Sequence, residues 1–217
     1  LLEIDRRKDW MLRLESLACN DLVADDDLLQ ALPPRLRQTI SHLNPQRAFH
    51  VGGLIELRGA GEPGFPITAA WDLETHLPDN RLTTGVQLED VSGSVTSRGK
   101  WYGQHAEMTG NFALNSASLW GYQFRDIKGP FHYRNQDLVI GSNQAFAPQA
   151  NNKSRLAIPL QERVTARAVG GLFTLDAQAR LAEPTTYHVK MNMSEARLHQ
   201  FAEEYMKGRR NLKGLMR

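Results

Sequence analysis

The sequence predicts a mainly β fold: an extended, curved antiparallel sheet running as a repeat meander, with two short amphipathic helices. One observation is a motif stated twice. Leu88-Glu89-Asp90-Val91-Ser92-Gly93 returns 36 residues later as Phe124-Arg125-Asp126-Ile127-Lys128-Gly129. A second is hydropathy of period two over much of the chain from Ala48 to Met193, as strands with one covered face require. The third is a change of parity inside each copy. Val86 and Leu88, then Tyr122 and Phe124, are even before the Asp; Val91 and Val95, then Ile127 and Phe131, are odd after it. A strand that changes parity has taken in an extra residue or turned sharply. Each copy then meets a polar stretch that reads as a turn, Ser97-Arg98-Gly99-Lys100 or Asn135-Gln136-Asp137, and resumes as strand at Trp101 or Leu138.

In chain order, Ile4, Trp10, Leu12 and Leu14 alternate with charged neighbours and predict strands before residue 24. Asp25-Asp26-Asp27 supplies capping side chains for a helix over about residues 26–43. Pro33-Pro34 interrupts or restarts that helix, since proline suits a first turn. Leu36, Ile40 and Leu43 give its second half one apolar stripe. The meander occupies about residues 48–193. Val51-Gly52-Gly53-Leu54 opens a strand, Gly59 to Gly64 is a loop, and Ile67, Ala69, Trp71 and Leu73 alternate up to a turn at Pro78-Asp79-Asn80. Ala106, Met108, Gly110, Phe112 and Leu114 form the clearest strand between the two motif copies. Residues 141–154 read as a long loop, and Leu156, Ile158 and Leu160 as strand. Val169-Gly170-Gly171-Leu172 echoes Val51 to Leu54 and continues through Leu175, Ala177, Ala179 and Leu181. Tyr187, Val189, Met191 and Met193 make the last strand. A second helix is expected over about 194–206, with Leu198, Phe201, Ala202 and Tyr205 on one face. Gly214-Leu215 resembles Gly53-Leu54, so residues 207–217 read as the start of a further unit, and the whole chain as one fragment of a larger repeat protein.

Composition narrows the function classes. A net charge of +2 is too small to argue for nucleic acid, so none is expected as a partner. One cysteine, Cys19, makes neither an internal disulfide nor a thiolate metal site. The seven histidines stand singly, without metal-ligand spacing, and no metal or cofactor is expected. There is no nucleophile elbow, phosphate loop or His-Glu-x-x-His, which argues against an enzyme. Asp90 and Asp126 are the only carboxylates in matched settings. Next to a parity break, their simpler role is to satisfy freed backbone N–H groups, with Gly93 and Gly129 completing the structural repeat. Lys207, Arg209, Arg210 and Lys213 are ordinary cations after a helix.

The apolar face poses the functional question. Two short helices cannot cover about nine to twelve strands, so either the sheet curls until its face closes or a groove stays open. The candidate groove residues are Trp71, Leu73, Val86, Leu88, Met108, Phe112, Leu114, Phe124, Val189 and Met191. Trp101 and Trp120, if exposed side by side, would instead suit a carbohydrate-binding or adhesive module.

The apolar-x-Asp-Val/Ile-x-Gly repeats at Leu88 to Gly93 and Phe124 to Gly129 resemble those of the AsmA-like family, the TamB- and YhdP-related envelope proteins. So do the glycine-rich strand openings at Val51 and Val169, and the strand, helix and Gly-Leu passage from Tyr187 through Leu215. The resemblance implies a taco-shaped sheet in the periplasm, anchored in the inner membrane through a segment outside this sequence. It further implies neighbouring repeats as partners, and a hydrophobic groove that carries phospholipid acyl chains in outer-membrane biogenesis, or a scaffold between membranes, with no catalytic residues.

Overall fold

The computed structural model describes residues 2–4, 9–32, 34–60, 67–83, 86–103, 105–146, 159–181 and 186–194. Within them eleven strands form one sheet. They are β1 (Leu2–Ile4), β2 (Trp10–Leu22), β3 (Phe49–Gly59), β4 (Thr68–Thr83), β5 (Gln87–Tyr102), β6 (His105–Leu119), β7 (Tyr122–Arg134), β8 (Asp137–Ile140), β9 (Val164–Ala168), β10 (Gly171–Arg180) and β11 (Thr186–Ser194). Neighbours follow chain order and the pairings are antiparallel, as the meander predicts. One place in the sheet is shared: β8 and β9 each bridge β7 and β10, at different heights. The buried Asp176 carboxylate fastens both ends of the excursion between them. It accepts from Ser142 N at 2.9 Å and from Arg163 Nε at 2.7 Å. A buried charge held by a cation and an amide is paired as burial demands.

The parity breaks are backbone features. Asp90 and Asp126 have φ of 52° and 51°, a left-handed conformation that Asp tolerates better than most residues. Register shifts fall between Glu89 and Gly93, and between Arg125 and Lys128. The same device recurs where no shared motif marks it. In β2 the register shifts at Ser16 (φ 57°) and Asp21 (φ 55°), and in β4 between Leu77 and Asn80. β6 changes parity between Leu114 and Ala117, opposite Asp126, while its register with β7 stays regular. Except at Ser16, the breaks lie just beyond the paired residues Leu77, Gly93, Leu114 and Ile127. There Phe49, Leu77, Val91 and Ala117 are buried together, with Leu28 of the helix α1 (Asp26–Ala31) against them. The Asp25 side chain caps α1 by accepting from Leu28 N. A second helix, α2, spans Pro34–Leu43.

Several expectations need correction. The helix expected over 26–43 is two helices, because Pro34 restarts it. Pro78-Asp79-Asn80 is not a turn but a bulge inside β4, where the missing proline N–H falls in a gap of the ladder. Asn80 is 1 % exposed, and it donates to Arg47 O at 2.7 Å and accepts from Arg81 N at 2.9 Å. Ser97-Arg98-Gly99-Lys100 is not a turn either; β5 runs straight through it, with Ser97 and Gly99 on the apolar face. The echo of Val51 to Leu54 is not structural, since Val169-Gly170 turns β9 into β10 whereas Val51 to Leu54 lies inside β3. Residues 143–146 of the expected loop form a 3₁₀ turn, and Leu160 starts another rather than a strand. Leu156, Ile158, the expected helix at 194–206 (beyond Ser194, the end of β11) and residues 207–217 lie outside the described residues.

Replacing Asp90 tests the left-handed bulge. Asp90→Gly should leave the denaturant midpoint nearly unchanged, whereas Asp90→Val should lower stability by about 1–2 kcal/mol, read by urea unfolding.

Candidate functional site, the apolar face of the sheet

Strand register places most of the candidate residues on one face. One row crosses the sheet as Leu73, Ser97, Gly110, Phe131, Ile140, Ala177 and Val189. Beside it run Trp71, Gly99, Met108, Tyr133, Leu138, Ala179 and Tyr187. On the other side, Phe112 pairs with Gly129, and Leu175 with both Val164 and Met191. The opposite face is mainly polar: its row runs Asp72, Arg98, Thr109, His132, Gln178 and His188, with Leu54 and the buried Val139 as its apolar members. That is the division a one-sided antiparallel sheet requires.

The ten candidates divide by depth. Trp71, Leu73, Met108 and Phe112 are half-buried on the open stretch of the face. Leu88 and Leu114 pack against the buried cluster beyond the bulges. Phe124 meets Phe173 edge-on at 5.3 Å between ring centres, joining β7 to β10. Val189 and Met191 lie on the edge strand β11 at 60 % and 55 % exposure, and Val86, just before β5, is exposed.

Glycines shape the floor of this face, which alternation alone does not reveal. A Cβ at Gly99 would lie 2.2 Å from the Trp71 ring, one at Gly110 2.5 Å from Phe131, and one at Gly59 2.5 Å from Trp10. Each aromatic ring therefore lies down across a neighbouring strand's glycine instead of standing up from the sheet. This is the aromatic cover of strand glycines seen in curved sheets. The result is a low apolar floor. Among the described residues no Leu, Ile, Met or aromatic side chain is fully buried; Val91, Asn80 and Asp176 are the largest that are. Among the described residues the buried Trp101 indole N–H, at the end of this face away from the cluster, finds no hydrogen-bond partner.

The polar candidates do not assemble. Asp90 and Asp126 are separated by β6. The Asp90 carboxylate accepts from Ser118 Oγ at 2.9 Å, and Asp126 stands 3.8 Å from Arg167. Side-chain partners thus replace the backbone N–H groups that the sequence suggests. His50 and His76, distant in sequence, stack across β3 and β4 at 5.9 Å. Among the described residues no three His, Cys, Asp or Glu come together as a metal site.

The class defined by these features is a single-sheet β protein with one continuous, partly covered apolar face. Comparison of the chain with models of known families, with curated proteins and with solved structures finds no match.

If Gly99 and Trp71 form the floor as a pair, Gly99→Val should lift the indole, redden its fluorescence and cost about 1–3 kcal/mol of overpacking. The companion change Trp71→Ala in the same chain should recover part of that loss, measured as a double-mutant cycle.

Proposed function

We propose that this chain is a non-enzymatic segment of an envelope protein of the AsmA-like kind, whose apolar face binds phospholipid acyl chains or serves as a scaffold between two membranes. One observation carries the reading. An apolar face runs across the sheet from β2 to β11, yet apart from Phe131 the large side chains of its open stretch stay only partly covered. Partly wetted apolar surface over such an extent favours a ligand that brings apolar area of its own. An acyl chain supplies about 0.8 kcal/mol per buried CH₂ and asks for no residue-specific chemistry. The periplasmic location, the membrane anchor and the neighbouring repeats belong to the same proposal and rest on the sequence resemblance.

The carbohydrate reading asks for Trp101 and Trp120 side by side. Trp101 lies near the end of β5 at the β5–β6 connection, and Trp120 at the opposite end of β6, in the β6–β7 turn. No two-tryptophan platform forms from them.

The open and clustered parts of the face respond differently to charge. Phe112→Asp should leave the protein folded and reduce the lipid recovered in organic extracts, read by mass spectrometry. Leu88→Asp, against the buried cluster, should cost several kcal/mol and unfold it. Extracts without lipid from the native chain would end the acyl-chain reading and leave only the scaffold.

A further inference from the structure

We propose that the tip of the β6–β7 hairpin is a membrane-interface anchor, with Trp120 as the side chain that enters the headgroup region of a phospholipid bilayer. Trp120 and Gly121 form a two-residue turn with φ of 53° and 83°. Both central residues of such a turn are left-handed, which Asn-Gly satisfies easily and a bulky aromatic residue does not. Two other hairpins show what the fold does elsewhere. Asn135-Gln136 puts a tolerant Asn at the first position, with φ of 47°, and a flexible polar Gln, exposed at φ 82°, at the second. Val169-Gly170 puts a β-branched residue there, but Val169 is 5 % exposed, so packing offsets its strain. Trp120 has neither excuse: it is 77 % exposed. Exposed Ser16 and Gln136 are left-handed too, but they are polar; a large apolar ring held in that conformation and in water points to a contact outside the chain.

The surroundings select a bilayer. From Met108 to Phe124 there is no Asp, Glu, Lys, Arg or His, in a chain whose charged fraction is 23%. The hairpin tip therefore enters an apolar medium without a charge to desolvate. The pairing of Glu89 with Ser118 brings the start of β5 alongside, where Val86 adds apolar surface at 38 % exposure. The charges nearest the tip have partners: Arg81 and Glu89 face each other at 3.5 Å, the Asp90 carboxylate accepts from Ser118 Oγ at 2.9 Å, and Arg125 donates to the Gln123 side chain at 2.7 Å. An exposed indole, an aliphatic neighbour and a turn that carries no charge of its own suit the headgroup interface of a zwitterionic bilayer, where tryptophan is enriched and nearby charges stay among polar headgroups.

The inference goes beyond the groove reading and does not depend on it. Its test is flotation of the whole chain with phosphatidylcholine vesicles, with thermal unfolding of the same samples. The native chain should float, with little dependence on salt. Trp120→Asn should weaken partitioning roughly ten- to a hundred-fold. The same change should raise the thermal midpoint by about 2–4 °C, because Asn relieves the turn. Gain of stability with loss of binding is a pairing that a merely structural tryptophan does not give. A native chain that stays with the soluble fraction, a variant that floats equally well, or a variant that melts earlier would each overturn the proposal. Lipid in organic extracts of the purified protein should be the same for both chains, so an empty groove and an idle hairpin are told apart.

Discussion

A long twisted strand drifts out of phase with its neighbours, and this sheet has to keep its apolar side chains on one face while it does so. β4 and β5 each run 16 residues, about 50 Å of strand at the ordinary rise. Local breaks solve the problem by letting the long strands change parity, with left-handed residues in β2, β5 and β7 and without them in β4 and β6. Without the break at Asp90, Leu88 and Val91 would face opposite sides, and so would Phe124 and Ile127 without the break at Asp126. Because Asp21, Pro78-Asp79, Asp90 and Asp126 fall close to one line across the sheet, the bend they impose is shared. The buried hydrophobic cluster of Phe49, Leu77, Val91 and Ala117 sits on that line. Burial here follows from bending.

Away from the line the sheet has no second layer among the described residues. α1 reaches the face through Leu28, and covers the cluster rather than the broad floor. The face limits its exposure by lying low, with Trp71 over Gly99 and Phe131 over Gly110. A floor of flat rings buries ring area against backbone, which standing side chains would do only against a second sheet. Glycine is costly in a strand. Its presence at these inward positions indicates that close approach of ring to backbone matters more here than strand propensity.

Much of this was legible in the residues, and the failures have physical causes. The Asp motif announced the bulges of β5 and β7 because its two copies could be compared. The breaks in β2, β4 and β6 use Ser16, Asp21, Pro78-Asp79 and the Leu114 to Ala117 passage, which share no chemistry that a repeat search could find. Gly99 reads as a turn because a glycine between Arg98 and Lys100 looks the same in a turn and in a strand. Only its pairing with Trp71 separates the two, and that is a tertiary fact. Parity was enough to put most of the ten candidate residues on one side. It could not tell Leu88, which packs against the buried cluster, from Leu73 on the open stretch, since that depends on where the sheet bends.

The edge strands show how one-sidedness extends to the limits of the sheet. β2 is irregular at Ser16 and Asp21 and covered in part by the short β1, features that discourage a further strand from pairing there. β11 has none of these. It pairs with β10 over nine residues without a shift, contains no proline, and carries its single charged residue, Lys190, on the polar face. Tyr187, Val189, Met191 and Met193 continue the apolar rows of β10 at 48–60 % exposure. An edge so regular is costly to leave in water. The apolar surface of this sheet is therefore least finished at β11, where the rows reach the edge without a bulge or charge to stop them.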